Sequence, residues 1–268
     1  MNNELKPMSF GQIIGSGINL YLKNFVQLVL ISGVCTLITI PSLYNYTIAT
    51  VAYTNALKIG MTTSANSMFA IMGPYFSSTG IYTLFTIIAS GIIVGFIVEF
   101  TSRKYLDKDT SFGSIFKNVL PGILPLIGLS LLLSLIIGIG CIFLLFPGII
   151  LMAMFALAPI CLILEKKGVF EAMGRSKELT TGNKGRLFLM LVIVGIFTFI
   201  ISAILSRIIP HGSSPIATTI LSYLTAAILT PVQLCILVLY YFDQRVKKEG
   251  FDIQHLAEQY SFESPTKS

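Results

Sequence analysis

The sequence predicts an all-α integral membrane protein of six transmembrane helices, and three observations predict it. Only 11% of the residues are charged against 54% hydrophobic, where a soluble domain carries about 25% charged residues. The apolar residues fall in runs long enough to cross a bilayer, and the bases fall in short islands on alternate connections between those runs. In water such a chain would leave large apolar patches exposed and aggregate; with a mean hydropathy of +0.83, lipid is the better solvent.

A span needs about 20 apolar residues at a rise of about 1.5 Å each. Four runs satisfy this directly, at 25–44, 80–98, 187–209 and 217–242. The block 119–164 is uncharged over 46 residues. As one helix it would measure about 69 Å, more than twice the hydrocarbon thickness, so it must fold back once. Phe146-Pro147-Gly148 is the natural turn, with Gly138 and Gly140 as the alternative, giving spans 121–146 and 148–164. The membrane domain therefore runs over 25–242, between an amphipathic segment, 1–24, and a tail, 243–268. The N-terminal segment lacks the form of a secretory signal, so the first span is expected to remain in the mature protein.

The bases test the span count independently. Sixteen of the eighteen lie before span one, between spans two and three, between four and five, or after six; the other connections hold only Lys58 and Arg207. Translocating bases is disfavoured, so the richer side, with both termini, is expected to be cytoplasmic. The largest island, 165–186, carries Lys166, Lys167, Arg175, Lys177, Lys184 and Arg186. It should attract anionic headgroups by about 1 kcal/mol per base near the surface.

Each stretch leading from that side into a hairpin of spans has amphipathic character. Phe10, Ile13, Ile14, Ile18 and Tyr21 recur at helical spacing after Ser9; Phe112, Ile115, Phe116 and Val119 do so after Ser111; Val169, Phe170 and Met173 form a shorter stripe. Interfacial helices on the cytoplasmic side, in three pseudo-repeated hairpin units, are expected. Helix packing is expected at small residues spaced along the spans: Gly91 and Gly95 in span two, and Ser130, Ser134 and Gly138 in span three. Pro159 and Pro231 should kink spans four and six.

An ionisable group within the membrane is a functional signal, and none lies at mid-span. Glu99, Glu165 and Asp243 sit at the ends of spans two, four and six, with Arg103, Lys166 and Arg245 as candidate partners. His211 and His255 fall on opposite sides of the membrane, and Cys35, Cys141, Cys161 and Cys235 each stand alone in an apolar run. No catalytic, cofactor or metal site is expected, and no fold signature for nucleic acid accompanies the positive charge.

Three stretches carry a resemblance: residues 146–188, with Pro147-Gly148, Glu165, Gly168, Glu171-Ala172, Ser176 and Leu179; residues 240–259, with Tyr241, Asp243, Arg245 and Glu249-Gly250-Phe251-Asp252; and the opening at Met8 to Phe25. They resemble the membrane domain of bacterial glycerophosphoryl diester phosphodiesterases. The resemblance implies a stand-alone six-span membrane domain in the bacterial cytoplasmic membrane, since too few residues follow span six for a catalytic barrel. Its signature, Glu165, Glu171, Arg175, Ser176, Tyr241, Asp243, Arg245 and Glu249, is expected to form a charged plate clamping the ends of spans four and six. The function expected is a non-enzymatic interaction or membrane-organising module contacting anionic lipid or a cytoplasmic or membrane protein partner. A transporter or permease subunit is the alternative, and a membrane enzyme acting on lipid or phosphodiester comes third.

Overall fold

The computed structural model describes residues 7–58, 65–143, 145–208 and 214–249, and all regular structure among them is helical. Lys6, His211, His255 and the tail from Gly250 onward lie outside the described residues. Six segments have the length and hydropathy of membrane spans: Phe25–Lys58, Met68–Tyr105, Phe112–Cys141, Pro147–Leu164, Lys184–Leu205 and Pro215–Glu249. The all-α six-span class is therefore the class observed, with spans one, two and six much longer than the apolar runs suggest.

Helix α1 (Phe10–Lys23) opens on a capping box: the Ser9 N–H donates to Gln12 Oε1 at 2.8 Å, and the Gln12 N–H to Ser9 Oγ at 3.4 Å. Its apolar face meets protein rather than lipid. The Met8 N–H reaches Asp243, a Cβ on Gly17 would lie 2.7 Å from Ile236 Cγ1, and the Tyr21 hydroxyl donates to the Ile228 carbonyl at 2.9 Å. These contacts run α1 antiparallel to the last helix, down to the turn that Pro231 disrupts.

Span one is not one rod. Helix α2 (Phe25–Thr36) gives way to a 3-10 turn, Leu37–Thr39, and then to α3 (Ile40–Lys58). Pro41 has no N–H to continue the ladder. The hydroxyls of Thr36, Thr39 and Ser42 donate to the carbonyls of Ser32, Thr36 and Thr39 at 2.7–2.9 Å, supplying bonds where the ladder breaks. Helix α4 (Ala65–Tyr105) has 41 residues, about 60 Å at 1.5 Å each and twice the hydrocarbon thickness. Much of the expected 45–79 connection is thus a helical extension of α3 and α4. Stacked pairs Tyr46–Tyr82 and Tyr53–Tyr75, with centroids 5.0 and 4.7 Å apart, join the two helices.

Spans three and four part between α5 (Phe112–Phe143) and α6 (Leu145–Phe155). Phe146-Pro147-Gly148 therefore opens α6 instead of forming the turn, since a missing N–H costs nothing in a first helical turn. Gly148 instead sets how closely the two helices approach. A Cβ there would lie 2.8 Å from the Cys141 nitrogen, so only glycine lets the hairpin close. Span four breaks again before α7 (Ala158–Leu164), where Pro159 sits at the helix start. Helices α8 (Val169–Thr180), α9 (Lys184–Ile208) and α10 (Pro215–Glu249) complete the chain.

The amphipathic stretch 111–119 is the first part of α5 and not a separate helix, so only two of the three expected units begin with a free-standing one. In α8 the buried face is Ala172, Ser176, Leu179 and Thr180, while Phe170 of the expected stripe is 77% exposed. The packing centre is α4 with α10; α2, α3, α5 and α7 surround α4, and α1, α2 and α3 surround α10. Gly91 and Gly95 pack as expected: Cβ atoms there would lie 3.1 Å from Ile127 N and 2.9 Å from Val119 Cγ1. Gly138 and Ser134 do not. Nothing lies within 4 Å of a Cβ on Gly138, and exposed Ser134 bonds its own helix at Leu131 O. Ser130 is half-buried.

Candidate functional site

The charged groups at the ends of the spans, Lys58 and Arg207 apart, gather at one end of the bundle. Helix α7 ends at Glu165, and Lys166 follows in the left-handed region with φ 50°, a position usually held by glycine. The chain reverses there, laying α8 back against α6 and α7. On α10, Tyr241, Arg245 and Glu249 recur every fourth residue and so share one face.

These two elements close a ring of five side chains. Arg175 Nε donates to both Glu165 oxygens at 3.1 and 3.0 Å, and its terminal nitrogen pairs with Glu249. Arg245 Nε donates to Glu249 Oε2 at 3.0 Å and its Nη1 to the Tyr241 hydroxyl at 3.2 Å; that hydroxyl donates to Glu165 Oε1 at 2.8 Å. Side-chain exposure is only 10% at Glu165, 14% at Arg175, 18% at Glu249 and 7% at Arg245. At that shielding the pairs lie outside the weak surface regime, and stripping one partner strands its counterion. Burial works against the Arg175 charge, but bonds to Glu178 and Glu165 outweigh it and hold the guanidinium above its ordinary value.

Asp243, with a fully buried side chain, anchors a second cluster. It accepts from the Met8 N–H at 2.8 Å, Lys247 Nζ at 2.7 Å, Gln244 Nε2 at 3.2 Å and Arg186 Nη1 at 3.5 Å. Arg186 Nη2 also donates to the Met8 carbonyl at 2.8 Å, so one carboxylate ties the chain before α1, the start of α9 and α10 together. A third cluster sits on α4, where Glu99 accepts from Arg103 at 2.7 Å and from Asn118 of α5 at 3.1 Å. In the adjoining loop, the Ser111 hydroxyl and N–H draw the exposed Asp109 carboxyl below its ordinary value. Burial and the Arg103 charge push Lys108 down.

The structure thus divides the eight signature residues among separate roles. Glu165, Arg175, Tyr241, Arg245 and Glu249 share the ring; Asp243 belongs to the second cluster. The Ser176 hydroxyl donates to Met154 O at 2.8 Å, serving a carbonyl in the last turn of broken α6, and Glu171 accepts the Gly168 N–H at 3.4 Å at the start of α8. Partners also differ from expectation. Glu165 is met by Arg175 and, at 3.6 Å, by Lys167; Asp243 is met by Arg186 and Lys247, while Arg245 serves Glu249. Lys247, Gln244 and Glu178 do not stand out in the sequence, and Arg186 does so only as one base of the largest island, although the four-residue spacing of Asp243 and Lys247 carries a signal.

A family model described as "Uncharacterised protein family (UPF0259)" matches residues 7–242. The chain belongs to the UPF0259 family. A UPF0259 membrane protein of Pectobacterium carotovorum subsp. carotovorum is 38% identical over 63 residues, which is 24% of this chain and 25% of that relative. No solved structure matches the chain.

The UPF0259 match overturns the resemblance to the glycerophosphoryl diester phosphodiesterase membrane domain, to which neither the family model nor the relative points. The residues that suggested it have local physical explanations: a proline-glycine pair opening α6, a carboxylate closing α7 and a helix-capping Glu171. Such features arise wherever broken helices reach a membrane surface. The UPF0259 match stops at 242, so Asp243, Arg245 and Glu249 lie just beyond it.

Proposed function

We propose that this multi-pass membrane protein is a non-catalytic membrane-organising module whose charged end faces the cytosol and gathers anionic headgroups. One observation carries the reading. Glu99, Glu165, Glu178, Asp243 and Glu249 are each held by bases of the same end, while exposed Lys23, Lys117 and Lys177 have no acidic partner among the described residues. The bound carboxylates leave little free acid for proton transfer, and the surface left outward is basic, worth about 1 kcal/mol per lysine toward an anionic leaflet. In nanodiscs of mixed phosphatidylglycerol and phosphatidylcholine, the retained lipid shell should be enriched in phosphatidylglycerol, and Lys177→Gln with Lys184→Gln should reduce that enrichment. A shell of bulk composition around the unaltered protein would sink the reading, and a protein partner bound through the same lysines would replace lipid as the target.

A specific cavity favours transport as a second reading. Between α9 and α10 lies about 480 Å³ lined by Thr198, Ser202, Ser222, Thr225, Thr230 and Gln233 together with three apolar residues. Ser222, Thr225, Thr230 and Gln233 donate no hydrogen bond among the described residues, and unpaired donors are costly at membrane depth. With no charge in the lining, the fitting cargo is a small uncharged polyol. Glycerol entry into proteoliposomes no faster than into empty vesicles would dismiss transport of this class.

A further inference from the structure

A second cavity, about 650 Å³, lies between α2, α4 and the start of α5. Of its thirteen lining residues only Gln27 and Thr110 carry a hydroxyl or amide, and both stand toward the charged end: Gln27 in the first turn of α2 and Thr110 in the loop before α5. Beyond them the walls are hydrocarbon and aromatic, from Leu30 to Ile38 on one side and Phe100 to Ile92 on the other, with the Cys35 thiol as the one soft polar atom. From Gln27 to Ile38 the cleft runs about 16 Å along the helix axis, half the hydrocarbon thickness and hence one leaflet. A polar mouth above an apolar shaft of one leaflet's depth is the shape of an amphiphile.

Charge at the mouth selects its head. Lys104 Nζ sits 5.8 Å from the ring centroid of the wall residue Phe100; Lys117 follows Phe116 of the wall, and Lys23 precedes Gln27 by one turn. The neighbouring acids Glu99 and Asp109 are occupied by Arg103 with Asn118 and by Ser111, leaving exposed Asp107 against those bases. We propose that this cleft is a binding site for one acyl chain of an anionic phospholipid whose phosphate rests among Lys23, Lys104 and Lys117. The site rests on the membrane-organising reading and deepens it, naming a fixed lipid position in place of a loosely attracted shell.

The chain contains no tryptophan, so Leu30→Trp, at a wall position already 61% exposed, gives a single fluorophore inside the cleft. In full-length protein reconstituted in phosphatidylcholine, phosphatidylglycerol with brominated chains should quench it at a mole fraction about tenfold lower than brominated phosphatidylcholine does. Lys104→Gln with Lys117→Gln should erase that preference while leaving quenching by both lipids. Adding Cys35→Phe should fill the shaft, abolish the preference and leave only the equal quenching that bulk lipid gives at a part-exposed Trp; if that protein does not fold, Val34→Phe, at a position 65% exposed, takes its place. Equal quenching by the two brominated lipids in the otherwise unaltered Trp protein overturns the site, as does protection from both by a protein segment lying in the cleft. Either result can occur with the enriched lipid shell intact, so failure of the cleft and failure of the module reading are separable.

Discussion

Tyr241 is the residue that closes a chain of three ion pairs into a ring. Its hydroxyl donates to Glu165 and accepts from Arg245, so the phenol joins the α7–α8 corner to α10 without adding charge. Tyr241→Phe keeps the buried ring shape and removes both bonds, leaving Glu165 and Arg245 each short of a partner. Bonds to charged groups are worth about 1.5–3 kcal/mol, and the expected loss lies in that range by thermal unfolding in mild detergent. Glu178→Gln is the contrasting change. That carboxylate also meets Arg175, but its side chain is 67% exposed, and the cost should stay within about 0.5 kcal/mol. Equal effects at the two positions would mean that the ring is no tighter than a surface pair.

At the scale of elements, α4 and α5 show which small residues act as packing surfaces. A side chain at Gly91 must displace the Ile127 backbone, since even a Cβ would approach its nitrogen to 3.1 Å, whereas Gly138 faces open space. Gly91→Leu should therefore destabilise by about 1–3 kcal/mol through overpacking, while Gly138→Ala should be neutral or slightly stabilising because alanine is the better helix former. The measurement is the melting temperature of each variant in the same detergent; a Gly91→Leu protein as stable as the parent would contradict the close seam. The spacing pattern that marks Gly91, Gly95 and Gly138 alike cannot separate them, because it reads one helix and not its neighbour. The same limit hides the surroundings of α1. Its amphipathic stripe is legible, but the surface that covers it, Ile228 to Asp243, lies more than two hundred residues away in sequence. The break at Pro159 is legible from its proline, whereas the break beside Pro41 is not, and α10 runs as one helix through Pro231. The fold-back of the 119–164 block is legible, but its position just before α6 rather than at Phe146-Pro147-Gly148 is not, because proline tolerates the first turn of a helix as readily as the end of one.

For the whole molecule, the distribution of charge predicts the orientation. Every acid among the described residues, and every described base except Lys58 and Arg207, lies at the end that holds the three clusters. Forming those clusters ties the start of α1, the α7–α8 corner, the start of α9 and the end of α10 into one surface. Translocating it would require carrying many bases across the bilayer, which insertion disfavours. The opposite end, with Lys58 closing α3 and the stacked tyrosines of α3 and α4, meets no such barrier. With Cys35, Cys141, Cys161 and Cys235 replaced by alanine, Lys58→Cys should react with a membrane-impermeant maleimide in intact cells. Lys177→Cys, at an exposed position, should react only after the membrane is opened. Labelling of Lys177→Cys from outside would invert the bundle and remove the anionic cytosolic leaflet from reach of the lysines. The lipid cleft would then open toward the outer leaflet, where the same bases would face a different headgroup population.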